Sequence, residues 1–155
     1  MEKECIMAAE TKQTIDSTGE IIESTGKWAI ALREKDVEAV ISYYDSDVVM
    51  FDVVDPLVSN GTGLLRTRLT EWLSSFDGHM GFEVSDLKIE AGNYIAFCHG
   101  LNRVIGTKVD GVKIDMCWRA TLCWRKIDGN WKITHSHASV PFNMETGMAS
   151  LDLKP

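Results

Sequence analysis

The stretch that decides the fold is Tyr94–Ser139, YIAFCHGLNRVIGTKVDGVKIDMCWRATLCWRKIDGNWKITHSHAS. Apolar and polar residues alternate along it, and Asp110-Gly111 and Asp128-Gly129 cut it where two-residue hairpin turns are signalled. Gly92-Asn93 upstream is a further turn signal, so the chain from Phe82 onward reads as a four-stranded antiparallel meander. A two-residue loop at Asp110-Gly111 puts His99 opposite Leu122 and Arg103 opposite Trp118. The same loop at Asp128-Gly129 puts Leu122 opposite His135, Ala120 opposite His137, Trp118 opposite Ser139 and Trp124 opposite Ile133.

The sequence before the meander is helical. Ile15, Ile22, Ala29 and Leu32, then Val37, Val40, Ile41 and Tyr44, recur at three-to-four spacing, which predicts one long and one short helix with Asp36 as the N-cap between them. Gly26 inside the long helix signals either a close approach or an interruption. Asp47–Val54 is rich in β-branched residues and reads as a strand, and Leu64–Phe76 reads as a third and last helix closed by Asp77-Gly78. The order helix, helix, strand, helix, then strands predicts an α+β domain: a curved antiparallel sheet wrapped around the N-terminal helices. One domain is expected over 11–145, with 1–10 a flexible N-terminus and 146–155 a C-terminal tail.

The composition agrees with a folded domain. The 155 residues are 45% hydrophobic and 25% charged, enough to build a core. A formal charge of −7 repels phosphate backbones and anionic lipid, so neither nucleic acid nor a membrane is the expected partner. The N-terminus has no apolar run of the kind a secretory leader needs, and no stretch reaches the ~18 apolar residues of a membrane span. Cys5, Cys98, Cys117 and Cys123 lack metal or redox spacing and are expected as reduced thiols in the cytoplasm.

In the register above, the helix-covered face carries His99, Arg103, His135, His137 and Ser139 as polar exceptions towards one end. His99 and His135 then stand about 9.6 Å apart across two strand spacings, as opposite walls of a small-molecule pocket. Each histidine is otherwise a core residue satisfied by a helix end or a carbonyl. The opposite face is small and mixed, which suggests a second subunit packed there and hence a homodimer. Cys98 and Cys123 oppose each other in this register, although free thiols are expected.

The pieces Trp28-Ala29, Lys35-Asp36-Val37, SDVVMFDVVDPL (46–57), FCHGLNRVIGT (97–107) and WRATLCWRKIDGNWKITHSHASVPF (118–142) carry a family resemblance. From Trp28 to Phe142 the chain resembles the SnoaL-like, ketosteroid-isomerase-like branch of the nuclear-transport-factor-2-like superfamily. That resemblance implies a cone-like sheet wrapping a long helix, an apolar pocket and usually a dimer, and it spans isomerases, dehydratases, cyclases and association domains without choosing among them. The tyrosine and protonated acid of the isomerase are not reproduced on the expected pocket face.

The chemistry expected is general acid/base catalysis by His137, His135 and His99, with Asp52 orienting one imidazole, because histidine exchanges protons near neutrality. Asp52 is otherwise a solvated turn residue. Arg103, Trp118, Ser139 and Tyr44 are the candidate binding residues for a small apolar carbonyl compound, with Arg103 alternatively paired to a surface acid at the rim. No cofactor is implied. His135-x-His137 has metal-ligand spacing but no inward carboxylate or thiol beside it, so no metal is expected. A non-catalytic ligand-binding or dimeric association domain is the alternative function.

Overall fold

The computed structural model describes the backbone of residues 2–155 and the side chains from Ser17 onward. The elements are α1 (Glu2–Arg33), α2 (Val37–Ile41), β1 (Tyr44–Phe51), β2 (Ser59–Asn60), α3 (Thr62–Ser74), β3 (Phe76–Ala91), β4 (Ile95–Lys108), β5 (Lys113–Ile127) and β6 (Asn130–Ser139). Helix α1 takes in most of the segment 1–10; Met1 and the Cys5 side chain lie outside the described residues. One six-stranded sheet, ordered β2-β1-β6-β5-β4-β3, curves without closing. The meander is antiparallel throughout, and β1 joins its β6 edge in parallel.

Helix α1 buries Ser17, Ile21, Thr25, Trp28 and Leu32 at three-to-four spacing, while Ile22 is exposed. Two small polar residues thus stand in the buried stripe, and the apolar letters alone mark it imperfectly. The helix runs through Gly26 without interruption, and a methyl group there would meet open space. Asp36 caps α2 by accepting from the Ala39 N–H at 2.9 Å, as its position in the sequence predicts. Tyr44 opens β1 rather than ending α2, because α2 stops at Ile41. The core under the helices is Ile21, Leu32, Val40, Val48, Leu73, Met80, Phe82, Trp124 and Ile133. Burying each such side chain stabilises the fold by about 1.5–3 kcal/mol.

The second hairpin is as expected and the first is not. Asp128 and Gly129 both take positive φ, 50° and 80°, in a two-residue turn, with Ile127 opposite Asn130 and Trp124 opposite Ile133. At the first turn Lys108 N–H donates to the Val112 carbonyl at 2.7 Å and Gly111 N–H to the Lys108 carbonyl at 2.8 Å, with Gly111 at φ +86°. The loop therefore has three residues, Val109-Asp110-Gly111, with the glycine forming the left-handed corner. The Asp110 carboxylate secures it by accepting from the Val112 N–H at 3.0 Å.

One extra loop residue shifts the pairing of β4 and β5 by one. His99 faces Thr121, Arg103 faces Cys117, Phe97 faces Cys123 and Asn102 faces Trp118. Because side chains alternate, this turns every β4 residue to the face opposite the expected one. A bulge at Thr134 does the same to the end of β6: the pairing steps from Trp124–Ile133 to Cys123–His135, and the Thr134 hydroxyl donates to the Cys123 carbonyl at 3.4 Å. His99, Arg103, His135, His137 and Ser139 consequently remain together, but on the convex face, away from the helices. Ala96, Cys98, Asn102 and Val104 are the β4 residues that enter the core.

Cys98 and Cys123 point to opposite faces, so they are not opposed, and Cys98, Cys117 and Cys123 are free. The Cys98 sulfur accepts from the Trp124 indole N–H at 3.3 Å, and burial raises its thiol pKa. Brief alkylation of native protein with iodoacetamide at about pH 8 is expected to label Cys117 well before Cys98. Peptide mass spectrometry showing Cys98 labelled as fast as Cys117 would contradict this register.

Candidate functional site

The residues proposed from the sequence separate into two groups. On the convex face, His99, Thr121 and His137 form one row across β4, β5 and β6, and Phe97, Cys123 and His135 form the next. His99 and His137 are exposed, whereas His135 is half-buried and its Nδ1 lies 2.8 Å from the Val49 carbonyl. A carbonyl only accepts, so Nδ1 carries the proton. The Phe51 ring, from the neighbouring β1, meets both imidazoles edge-on, with centroids 4.8 Å from His135 and 5.5 Å from His137. His79 is also exposed.

The other polar residues of this face are paired. Arg103 makes a two-pronged bond to Asp115, Nε to Oδ1 at 2.8 Å and Nη2 to Oδ2 at 3.0 Å, with Glu83 3.4 Å from Nη1. Arg103, followed by Lys154, holds the Asp115 carboxyl well below the usual carboxylate range. Arg103 is therefore the rim arginine paired with a surface acid. Arg119 Nε donates to the Ser139 hydroxyl at 3.1 Å, which occupies the other expected binding residue. Among the described residues no three metal-ligating side chains converge, on this face or elsewhere.

The concave side holds the second group. Trp118 sits in a row of edge-on rings: Trp28–Phe82 at 5.4 Å, Phe82–Trp118 at 5.8 Å, Trp118–Trp72 at 6.5 Å and Trp72–Phe76 at 5.8 Å. Trp118, Met116 and Ile114 face the helices yet are only half-buried, as is Trp72 on α3, so cover is incomplete at this end. Arg68 lies one turn before Trp72 on the same side of α3, and its Nη1 is 3.4 Å from Asp52 Oδ2. Asp52 follows β1 and also accepts from the Val53 N–H at 2.7 Å.

Tyr44 joins the two sets. Burial pushes its hydroxyl pKa up, the Trp28 indole draws it down slightly, and the charge of Asp52 raises it further. The hydroxyl is thus a neutral donor at all ordinary pH. The Asp52 charge acts on the Tyr44 hydroxyl, and the sequence singles out Tyr44, Asp52 and Trp118. It misses Arg68, Trp72 and Trp28, whose i, i+4 spacing on α3 and placement on α1 read as ordinary helix core.

This arrangement of a long helix, an incompletely covered concave sheet and a ring-lined interior can be compared with known proteins. The family profile described as a SnoaL-like domain matches residues 21–143. The chain belongs to the SnoaL-like family. Among solved structures it is similar to a nuclear transport factor 2-like protein of unknown function from Pseudomonas putida, with 32% identity over 96% of this chain and 98% of that one and a TM-score of 0.78. A nuclear transport factor 2-like superfamily protein from Salmonella enterica shares the fold at 15% identity, covering 88% of this chain and 99% of that one, with a TM-score of 0.75. A ketosteroid isomerase-like protein from Erwinia carotovora does so at 20% identity over 78% and 93% of the two chains, with a TM-score of 0.66. No curated protein matches. The SnoaL-like fold expected from the sequence is the one found, and no helix of the described residues is long and apolar enough to cross a membrane.

The convex placement of the histidines has a measurable consequence. His99→Ala and His137→Ala are expected to change stability by less than about 0.5 kcal/mol, since both side chains are exposed. His135→Ala is expected to cost about 1 kcal/mol through its bond to Val49. Urea unfolding of the three variants checks the order, and a cost at His99 equal to that at His135 would contradict it.

Proposed function

We propose that this SnoaL-like protein binds a neutral, largely apolar carbonyl compound at the open concave end, between Tyr44, Asp52, Arg68, Trp72 and Trp118. The observation that carries this reading is the half-burial of Trp72 and Trp118 on the helix-facing side, beside the hydroxyl and carboxylate of Tyr44 and Asp52. Aromatic walls with a few polar groups are what such sites require. Tyr44 donates to the carbonyl oxygen, and Asp52, oriented by Arg68, is the proton acceptor beside it. This is acid/base chemistry of the isomerase, dehydratase or cyclase kind, run by a carboxylate and a phenol instead of by the histidines. The likeness to an isomerase-like structure supports the fold on which it rests. The free thiols of Cys98, Cys117 and Cys123 support a reducing compartment such as the cytoplasm.

The convex face favours a second role. Ile95 is 66% exposed, Phe97 45% and Phe51 38%, on a sheet face where Arg103 and Asp115 already pair within the chain. We propose that a second copy of the chain covers it, giving a homodimer.

Titration with 2-acetylnaphthalene is expected to quench tryptophan fluorescence saturably, and Tyr44→Phe to weaken binding by about five- to tenfold. Absence of saturable quenching, or an unchanged affinity in Tyr44→Phe, would sink the ligand reading. Light scattering after size exclusion is expected to give a dimer that Phe97→Arg converts to monomer; a monomeric wild-type chain would sink the second.

A further inference from the structure

Between α1 and the sheet lies a small, partly open space lined on one side by Trp28. Its floor is the cross-strand pair Gly100 and Ala120, which present almost no side chain to the helix. Gly100 cannot be enlarged: a Cβ there would lie 2.8 Å from the Ser85 carbonyl oxygen and 3.4 Å from Leu87 Cα, where β3 bulges at Asp86. The floor therefore remains open, and a cavity of about 10 Å³ is left beneath Thr25 and Trp28. That is room for one oxygen atom with its hydrogens.

The roof is polar. Thr25 and Trp28 are one turn apart on α1, 4% and 7% exposed, and neither Thr25 Oγ1 nor Trp28 Nε1 has a hydrogen-bond partner among the described residues. The threonine hydroxyl is not turned back onto its own helix, and the indole N–H faces the Tyr44 hydroxyl without reaching hydrogen-bond geometry. Asn102, 6% exposed, lines the same space. Two unpaired buried groups each cost about 1–3 kcal/mol, a large fraction of the stability of a small domain. A single oxygen atom that accepts from the indole and bonds to the hydroxyl would remove that cost.

We infer that this cavity is a binding site for one neutral oxygen atom. No carboxylate, ammonium or guanidinium group lines it, and the His99 imidazole belongs to the opposite, convex face, so an ion would go uncompensated. The oxygen has two sources: an ordered water, or the carbonyl or hydroxyl oxygen of a small molecule. The water source is independent of the ligand reading proposed above; only the second source rests on it.

High-resolution crystallography of the full chain, alone and soaked in cyclohexanone, tests the site. The unliganded protein is expected to show one isolated peak within about 2.7–3.2 Å of both Trp28 Nε1 and Thr25 Oγ1, lost or displaced in Thr25→Val. After soaking, a peak that stays separate assigns the oxygen to water, and one that merges into ring density assigns it to the ketone. Either outcome supports the site, and a persistent water with no ketone anywhere would leave it standing while counting against the ligand reading. A dry cavity in both crystals, or Trp28 Nε1 bonded directly to Tyr44, would overturn it.

Discussion

The loop between β4 and β5 governs what the rest of the sheet can do. Gly111, held at φ +86°, lets the chain turn in three residues, and that count sets which side chains of β4 enter the core. A two-residue loop would bury His99 and Arg103 under α1 and turn Cys98, Asn102 and Val104 outward. The burial of five successive alternate positions, Ala96 to Val104 with Gly100 half-covered, is what the core receives from this choice. Trp124 and Ile133, both fully buried, then close the other end of the concave face.

Thr134 makes a second adjustment in the same direction. It absorbs one residue in β6, so that Trp131 and Ile133 point into the core while His135 and His137 point away from it. Before the bulge the inward residues are the buried Trp131 and Ile133, and after it they are the small Ser136 and Ala138. Bulges of this kind re-aim side chains at little cost when the displaced residue finds its own partner, as the Thr134 hydroxyl does on Cys123.

Most of the architecture was legible from the sequence for simple reasons. The periods of three-to-four and of two, the Asp36 cap and the glycine turns each leave a local mark, and α1, α2, α3 and the meander follow from them. The site was only partly legible because its membership depends on parity. Asp-Gly suits both a two-residue turn and the last positions of a three-residue one, so Asp110-Gly111 could not announce which it makes, and Thr134 carries no sign that it goes unpaired. The histidines were rightly grouped and wrongly faced, since both shifts moved them as a set. Trp118 keeps its expected helix-facing side because the even positions of β5 are untouched by either shift, whereas Tyr44, read at the end of a helix, opens β1. Arg68 and Trp72 were hidden in a helix whose apolar spacing looks like plain core.

The parallel pairing of β1 with β6 joins Val49 to His135 across most of the chain, whereas each hairpin of the meander closes over a few residues. Closing so long a loop carries the larger entropic cost, and nothing local offsets it before the meander exists as a template. β1 is thus the strand with most to gain from a preformed partner and least able to assemble early. Tyr44 and Asp52 travel with it, so their place in the domain depends on the strand that must close a long loop onto the meander.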